Sequence, residues 1–422
     1  MIEEGLARPD LPPPRPARHP WVFAVLYFPM GVMIGYPSVA LGYLGNRAGL
    51  PVSVTAAIVG MSFFPHSFKF LWAPLGDYTL TRKRWYVMAA TMMAAGILAL
   101  SVTPLTVRSV PILSGLVLLC NLAGTFVAFA TEGLLAHNTT SATRGRAGGW
   151  FQSGNQLGQT AGGGLGLLLM KHLPQTWMAG ATLGAVVLAC STCLLLLEEP
   201  PRPMPGGSVG ERARDAAREL LSVIRSRGGR IGLLLATLPI GTGAAQFLFG
   251  SLGPEWHARA DTVSFVLGAG GGVAIVAGCL VGGALAGRMA AARAYALSCA
   301  IGAVAALLTA ISPRTAAGFA AATLFYTFAL GLCTASLTGM VLDIIGEGAA
   351  ATKINLFFAM NTLFGLAMLR LDGAVHDRWA TNGMLITEFV IGAFSLSVFL
   401  LVASRIRGAE RAPLQPAGYY SG

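Results

Sequence analysis

Apolar residues along this chain come in long unbroken blocks, with polar residues gathered at the joints between them. Twelve blocks are legible, at roughly 20–44, 52–76, 84–103, 109–136, 149–170, 177–197, 230–253, 262–287, 291–311, 315–345, 353–371 and 383–404. A helix rises about 1.5 Å per residue and the hydrocarbon core of a bilayer is about 30 Å thick, so each block suits one crossing. The pattern predicts an all-α polytopic membrane protein with twelve transmembrane helices, spans one to twelve. The joints are too short for a sizeable soluble domain. Residues 1–19 are Pro-rich and polar and read as a cytoplasmic tail, with no cleavable signal peptide ahead of span one. Residues 405–422 read as a second cytoplasmic tail.

The longest joint, residues 198–229, divides the chain into six-helix bundles at 20–197 and 230–404. It opens Glu198-Glu199-Pro200-Pro201-Arg202-Pro203, which stops a helix. Ser208-x-x-Glu211 then has capping-box spacing, and Val209, Ala213, Ala216, Leu220 and Ile224 follow at helical spacing among arginines. This linker is expected to carry a basic amphipathic helix on anionic lipid or beneath the bundle. The two halves echo each other. Glu132 is followed by Ala142-Thr143-Arg144, and Asp343 by Ala351-Thr352-Lys353, half a chain further on. Such an echo predicts two pseudo-symmetric bundles, the arrangement of secondary transporters.

Composition narrows the class. The 422 residues are 54% hydrophobic and only 11% charged, less than half the charge of an ordinary soluble domain. That excludes a soluble multidomain enzyme and a disordered chain. The 54 glycines have no three-residue period, which excludes a collagen-like chain. The net charge of +11 resolves by location: of the 29 Lys and Arg, 21 fall on the side of the termini and six on the other, while Lys69 and Arg370 lie within spans. Positive charge collects on the cytoplasmic side, so both termini are expected in the cytoplasm, with the protein in the inner (plasma) membrane. The basic excess therefore reports orientation, and no nucleic-acid partner is expected. All six cysteines fall inside spans, where Cys190-x-x-Cys193 reads as small-residue packing. There is no Gly-x-x-x-x-Gly-Lys-(Ser/Thr) loop and no metal-ligand spacing, so neither a cofactor nor a metal is expected.

The joint after span two reads Pro74-Leu75-Gly76-Asp77-Tyr78-Thr79-Leu80-Thr81-Arg82-Lys83-Arg84. It resembles the Gly-x-Leu-x-Asp-(Arg/Lys)-x-x-x-(Arg/Lys)-(Arg/Lys) signature of the major facilitator superfamily, with Ala73 and Tyr78 as departures. The resemblance implies the major facilitator fold, with Asp77, Arg82 and Arg84 as a conformational latch at the cytoplasmic mouth. A narrower likeness lies just upstream. Phe68-Lys69-Phe70-Leu71-Trp72-Ala73-Pro74-Leu75-Gly76-Asp77 looks like a run in AmpG-type muropeptide permeases and their acetyl-coenzyme-A transporter relatives, and Glu132-Gly133 and Ala351-Thr352-Lys353 are similar to two further patches.

Polar groups within spans are costly unless they meet a partner or a water-filled cavity, so they are the candidate site. Lys69 and Glu132 are expected to pair across the N-terminal half, either as a structural ion pair or as an anion site coupled to protonation. His66, one turn from Lys69, is a candidate relay or a packing histidine, and Asp343 mirrors Glu132. In span five, Gln152, Asn155, Gln156 and Gln159 form one polar stripe expected to face a cavity, with Gln246 and Asn361 as further cavity groups. Gly154, Gly158, Gly162 and Gly166 recur on another side of the helix, where small residues allow close approach, and Gly-rich span eight is the expected partner. Arg370 and Asp372 near the outer end of span eleven suit an outer gate, and Glu388 is a further intramembrane acid.

These features point to a secondary active transporter, not an enzyme. It would be a monomer in membrane lipid, moving a polar anionic organic solute by alternating access coupled to protons. Two other functions fit the same chain: a non-transporting sensor or partner of an envelope or lipid enzyme, and a drug or metabolite exporter running by proton antiport. A membrane acyltransferase would want an intramembrane His with an Asp or Asn in reach, whereas His66 and His137 stand apart in sequence.

Overall fold

A computed structural model describes residues 19–37, 58, 61–62, 64–66, 68–69, 72, 80–199, 214, 218, 221–222, 224–226, 230, 233, 243–345 and 350–410. Among them the regular structure is helical throughout. Seven helices are long and apolar enough to cross a membrane, and the shorter Trp21–Gly35 is equally apolar. The large hydrophobics left exposed, such as Leu195, Val273, Phe394 and Ile311, decorate these helices, as lipid-facing positions must when hydrocarbon is the solvent.

The helices follow the apolar blocks closely: Arg82–Val102 for span three, Val110–His137 for span four, Thr176–Cys190 for span six, Ala291–Ile311 for span nine and Ala316–Ile345 for span ten. Helix ends show why. Span three starts at the N-cap Thr81, whose hydroxyl accepts from the Arg84 N–H. The Glu199 carboxylate accepts the next two free amides, from Arg82 at 2.7 Å and Lys83 at 3.1 Å, where the helix dipole favours an anion.

Three segments depart from the expected pattern. Span five begins at Ser141, eight residues before its apolar block, because Thr140 and Thr143 form a reciprocal capping box. Its glycine run 161–165 then widens into a π turn, as Val266–Gly270 does in span eight. The described end of span seven is no continuous helix. It breaks into short turns, Ala244–Phe247, Phe249–Leu252 and Gly253–Trp256, after Gly243 at φ +63°. Glycine alone takes that conformation freely, and Pro254 opens the last turn. Spans eleven and twelve join in a tight reversal at Trp379 and Ala380 inside Ala350–Glu410. Span two and the linker helix lie largely outside the described residues. Arg214, Arg218, Leu221, Ile224 and Arg225 of the linker are helical and exposed.

Glycines set the packing, and they divide the work of span five differently from expectation. Gly154, Gly158 and Gly162 lie against the backbone carbonyls of Ala24, Phe28 and Val32 in span one, not against span eight. Gly166 faces Tyr36 and Leu183. The contact with span eight comes from earlier glycines: a Cβ on Gly149 would sit 2.7 Å from the Cys279 carbonyl oxygen, and one on Gly283 would sit 2.6 Å from the Gly149 Cα. Gly145 abuts Gly287 in the same row. The first stripe therefore builds the N-terminal bundle, and the second brings the two halves together. Gly158→Leu is expected to cost about 3 kcal/mol by overpacking, read as a lowered thermal midpoint of the detergent-solubilised protein. Gly164→Leu, where a Cβ meets nothing within 4 Å, is expected to leave the midpoint unchanged.

Candidate functional site

Span four presents a line of polar side chains along a helix otherwise rich in buried apolar residues. Asn121, Thr125, Thr131 and Glu132 are all buried on it. Asn121 meets His66 at 3.2 Å and the Thr125 hydroxyl accepts the Trp72 indole N–H at 2.9 Å, so span two lies along this line. His66 therefore bonds span four well away from Glu132. At the end of the line the Lys69 ammonium donates to Glu132 Oε1 at 3.2 Å, with the side chains 6% and 1% exposed. The expected pair exists. It sits five residues from the end of span four, about 7.5 Å by helical rise, toward the end of the bundle that carries Arg144, Arg146 and Arg288.

The second oxygen of Glu132 leaves the N-terminal half. Glu132 Oε2 accepts the side-chain amide of Asn355, in span eleven, at 2.8 Å, and Asn355 is fully buried. Lys69 also reaches across, lying 5.4 Å from the ring centroid of Phe358, within cation–π distance. Tyr27 of span one lies within electrostatic reach of Glu132 and stacks on Phe151 at 3.6 Å. One carboxylate thus joins spans two, four and eleven. Asp343, which the echo pairs with Glu132, is exposed. The positive charge of Arg144 acts on it, a second electrostatic link between 20–197 and 230–404.

The amide stripe of span five divides. Gln152 is buried and donates to the Thr338 hydroxyl of span ten at 2.8 Å, a third polar tie between the halves. Asn155 is buried and accepts from Gln159 at 2.7 Å. Gln156, Gln159, Gln246 and Asn361 are half-buried. Between the halves, contact runs from Gly145 and Gly287 to Thr160 and Gly272. Beyond these, Cβ atoms on Gly164 and Gly268 would meet nothing within 4 Å. Close contact between spans five and eight is therefore concentrated toward the basic end.

Asp77 lies outside the described residues. Arg82 lies on Gly133 and the Phe129 carbonyl of span four, inside its own half, and Arg84 is exposed. Arg370 is exposed, whereas Asp372 is fully buried on another face of span eleven. Two residues along a helix turn about 200°, so the two do not share one site. Asn355, Thr338 and Phe358 were not among the expected site residues. None of the three carries a signal in the pattern of apolar and polar positions. Among the described residues no cluster of His, Cys, Asp and Glu could hold a metal ion, and all six cysteines are free.

Residues 22–369 match the family model described as Major Facilitator Superfamily. Among solved structures, the E. coli fucose:proton symporter FucP superposes with a TM-score of 0.67 at 15% identity, over 92% of this chain and 99% of that one. The human organic anion transporter MFSD10 (TETRAN) gives 0.65 at 16% identity, over 90% and 98%. The proton:xylose symporter XylE gives 0.63 at 12% identity, over 90% and 95%. At such identities the likeness is one of fold. No functionally curated protein sequence matches the chain.

The pair sets an order of stabilities. Lys69→Met leaves the Glu132 charge buried without its cation and is expected to cost about 3–5 kcal/mol. Adding Glu132→Gln removes that charge and is expected to recover most of the loss. Thermal unfolding of the two variants in one detergent checks the order.

Proposed function

The chain belongs to the major facilitator superfamily of membrane transporters, and on that premise we propose that it is a proton-coupled secondary transporter of a polar, anionic organic solute. The observation that carries this reading is Glu132, a buried carboxylate shared between Lys69 of its own half and Asn355 of the other. Lys69 is a buried cation whose present counter-ion is a titratable side chain. An entering anionic group competes with Glu132 for that cation. A proton on Glu132 cancels the charge that Lys69 compensates and frees the ammonium for the solute. It also weakens the acceptor to which Asn355 donates, and so loosens the tie between the halves. Solute binding, protonation and parting of the basic end are then one linked equilibrium, as alternating access needs.

By the positive-inside rule the basic end faces the cytoplasm. We read the tight contact of spans five and eight as a cytoplasmic side held closed, with both termini inside and the bundles at 20–197 and 230–404. Gln156, Gln159, Gln246 and Asn361 would offer neutral hydrogen bonds to the body of the solute. The similarity of the Lys69 and Glu132 segments to AmpG-type permeases favours a substrate with an anionic group on a sugar, peptide or acyl carrier. The related folds include a symporter named for fucose and a transporter named for organic anions, which suits that class.

Reconstituted vesicles under an inward proton gradient, offered a panel of anionic sugars, peptides and acyl conjugates, test the reading. Wild type should accumulate at least one. Lys69→Ala should lower that uptake by at least about tenfold, a loss of about 1.4 kcal/mol or more in binding. Glu132→Gln should retain solute exchange while losing accumulation driven by the gradient. Unchanged uptake by Lys69→Ala would remove the anion-site reading.

A further inference from the structure

The C-terminal half holds a second buried acidic centre, away from Lys69 and Glu132. Asp372 of span eleven is 0% exposed, and neither of its carboxylate oxygens has a hydrogen-bond partner among the described residues. Glu388 of span twelve lies within electrostatic reach of it. The Tyr326 hydroxyl of span ten donates to Glu388, 2.7 and 2.9 Å from its two oxygens, and lies within electrostatic reach of Asp372. The backbone N–H of Ala245, in the broken end of span seven, donates to Glu388 Oε1 at 3.3 Å. No described cation pairs with Asp372: Arg370 is on another face, and the Arg314 guanidinium stacks over the Trp256 ring at 3.7 Å and bonds Asn382. Asp372, enclosed without a described cation or hydrogen-bond donor, carries its charge at a cost to which desolvation and the nearby Glu388 both contribute.

We propose that Asp372 and Glu388 form a proton-binding site in the C-terminal half, loaded through His376 and Glu255. His376 lies one helical turn beyond Asp372, on the same face. Its Nε2 is 3.4 Å from Glu255 Oε1, with the two side chains 33% and 39% exposed. Thr381 donates to the same Glu255 oxygen at 2.6 Å, and Asp377 lies 4.0 Å from His376. A proton taken from water by the His376–Glu255 pair passes to a carboxylate oxygen of the buried pair. An N–H or O–H bond breaks at the surface, an O–H bond forms within, and the charge of the pair falls from −2 to −1. Tyr326 and the Ala245 amide stabilise the carboxylate that stays ionised. Glu388 touches the broken end of span seven, so loading the site changes the charge held against the element that carries Gln246. Only the link to transport rests on the function proposed above; the proton site itself does not.

Infrared absorption of the full-length detergent-solubilised protein, followed from about pH 5 to about pH 8, tests the site with the proton as its own probe. Wild type should show the carbonyl stretch of a buried protonated carboxyl that persists to neutral pH. Asp372→Asn should remove this band, and Tyr326→Phe should shift it by deleting the hydroxyl that bonds Glu388. Glu132→Gln should leave it in place, so a failure of the Lys69–Glu132 reading is seen separately. If circular dichroism shows that Asp372→Asn has not folded, Tyr326→Phe decides alone. A wild type without the band, or a band unmoved by every folded variant of this centre, overturns the proposal.

Discussion

A carboxylate buried among apolar helices must find its partners within the protein, because lipid offers none. Glu132 finds one in each half. Its bond to Lys69 neutralises two charges inside the N-terminal bundle, and its bond to Asn355 ties that bundle to span eleven. A buried ion pair of this kind brings little net stability, since desolvation offsets most of the Coulomb gain. What it does bring is a contact between the halves. The rest of the basic end is arranged so that this contact can form: glycines 145 and 149 of span five meet 283 and 287 of span eight at backbone distance, with Gln152 on Thr338 beside them.

The two glycine rows of span five have different mechanical consequences. Gly154, Gly158 and Gly162 lock the helix onto span one, with their Cα atoms against carbonyls and no side chain to move. Gly145 and Gly149 make an equally close surface with span eight, but its polar ties are few. A joint of small residues has little interdigitation to undo, so the halves can part there without repacking either bundle. The polar ties Glu132–Asn355 and Gln152–Thr338 then carry the preference for the closed basic end.

The acids of the C-terminal half have a different character. Glu132 is paired with a cation, while Glu388 meets a tyrosine and a backbone amide and nearby Asp372 meets no described cation. Ala245 lies at the start of the short turn that follows Gly243, so its N–H is free to donate to the Glu388 carboxylate. The two centres lie toward opposite ends of the molecule, since 17 residues of span eleven separate Asn355 from Asp372.

The amino-acid sequence by itself determined the apolar spans and the all-α membrane fold, because hydrocarbon imposes a length and a polarity that each segment must satisfy locally. It also singled out Lys69 and Glu132, since intramembrane charges are rare and need a partner. It did not reveal the early start of span five, which a threonine capping box decides, nor the break in span seven, where glycines outweigh an apolar run. The tertiary structure alone decided which glycine row meets span one and which meets span eight. It also decided that Asn355 completes Glu132, and that Asp372 is buried while Arg370 is exposed. Those outcomes depend on helix rotation and on contacts between segments some 200 residues apart, and a local pattern of apolar and polar positions holds no record of either.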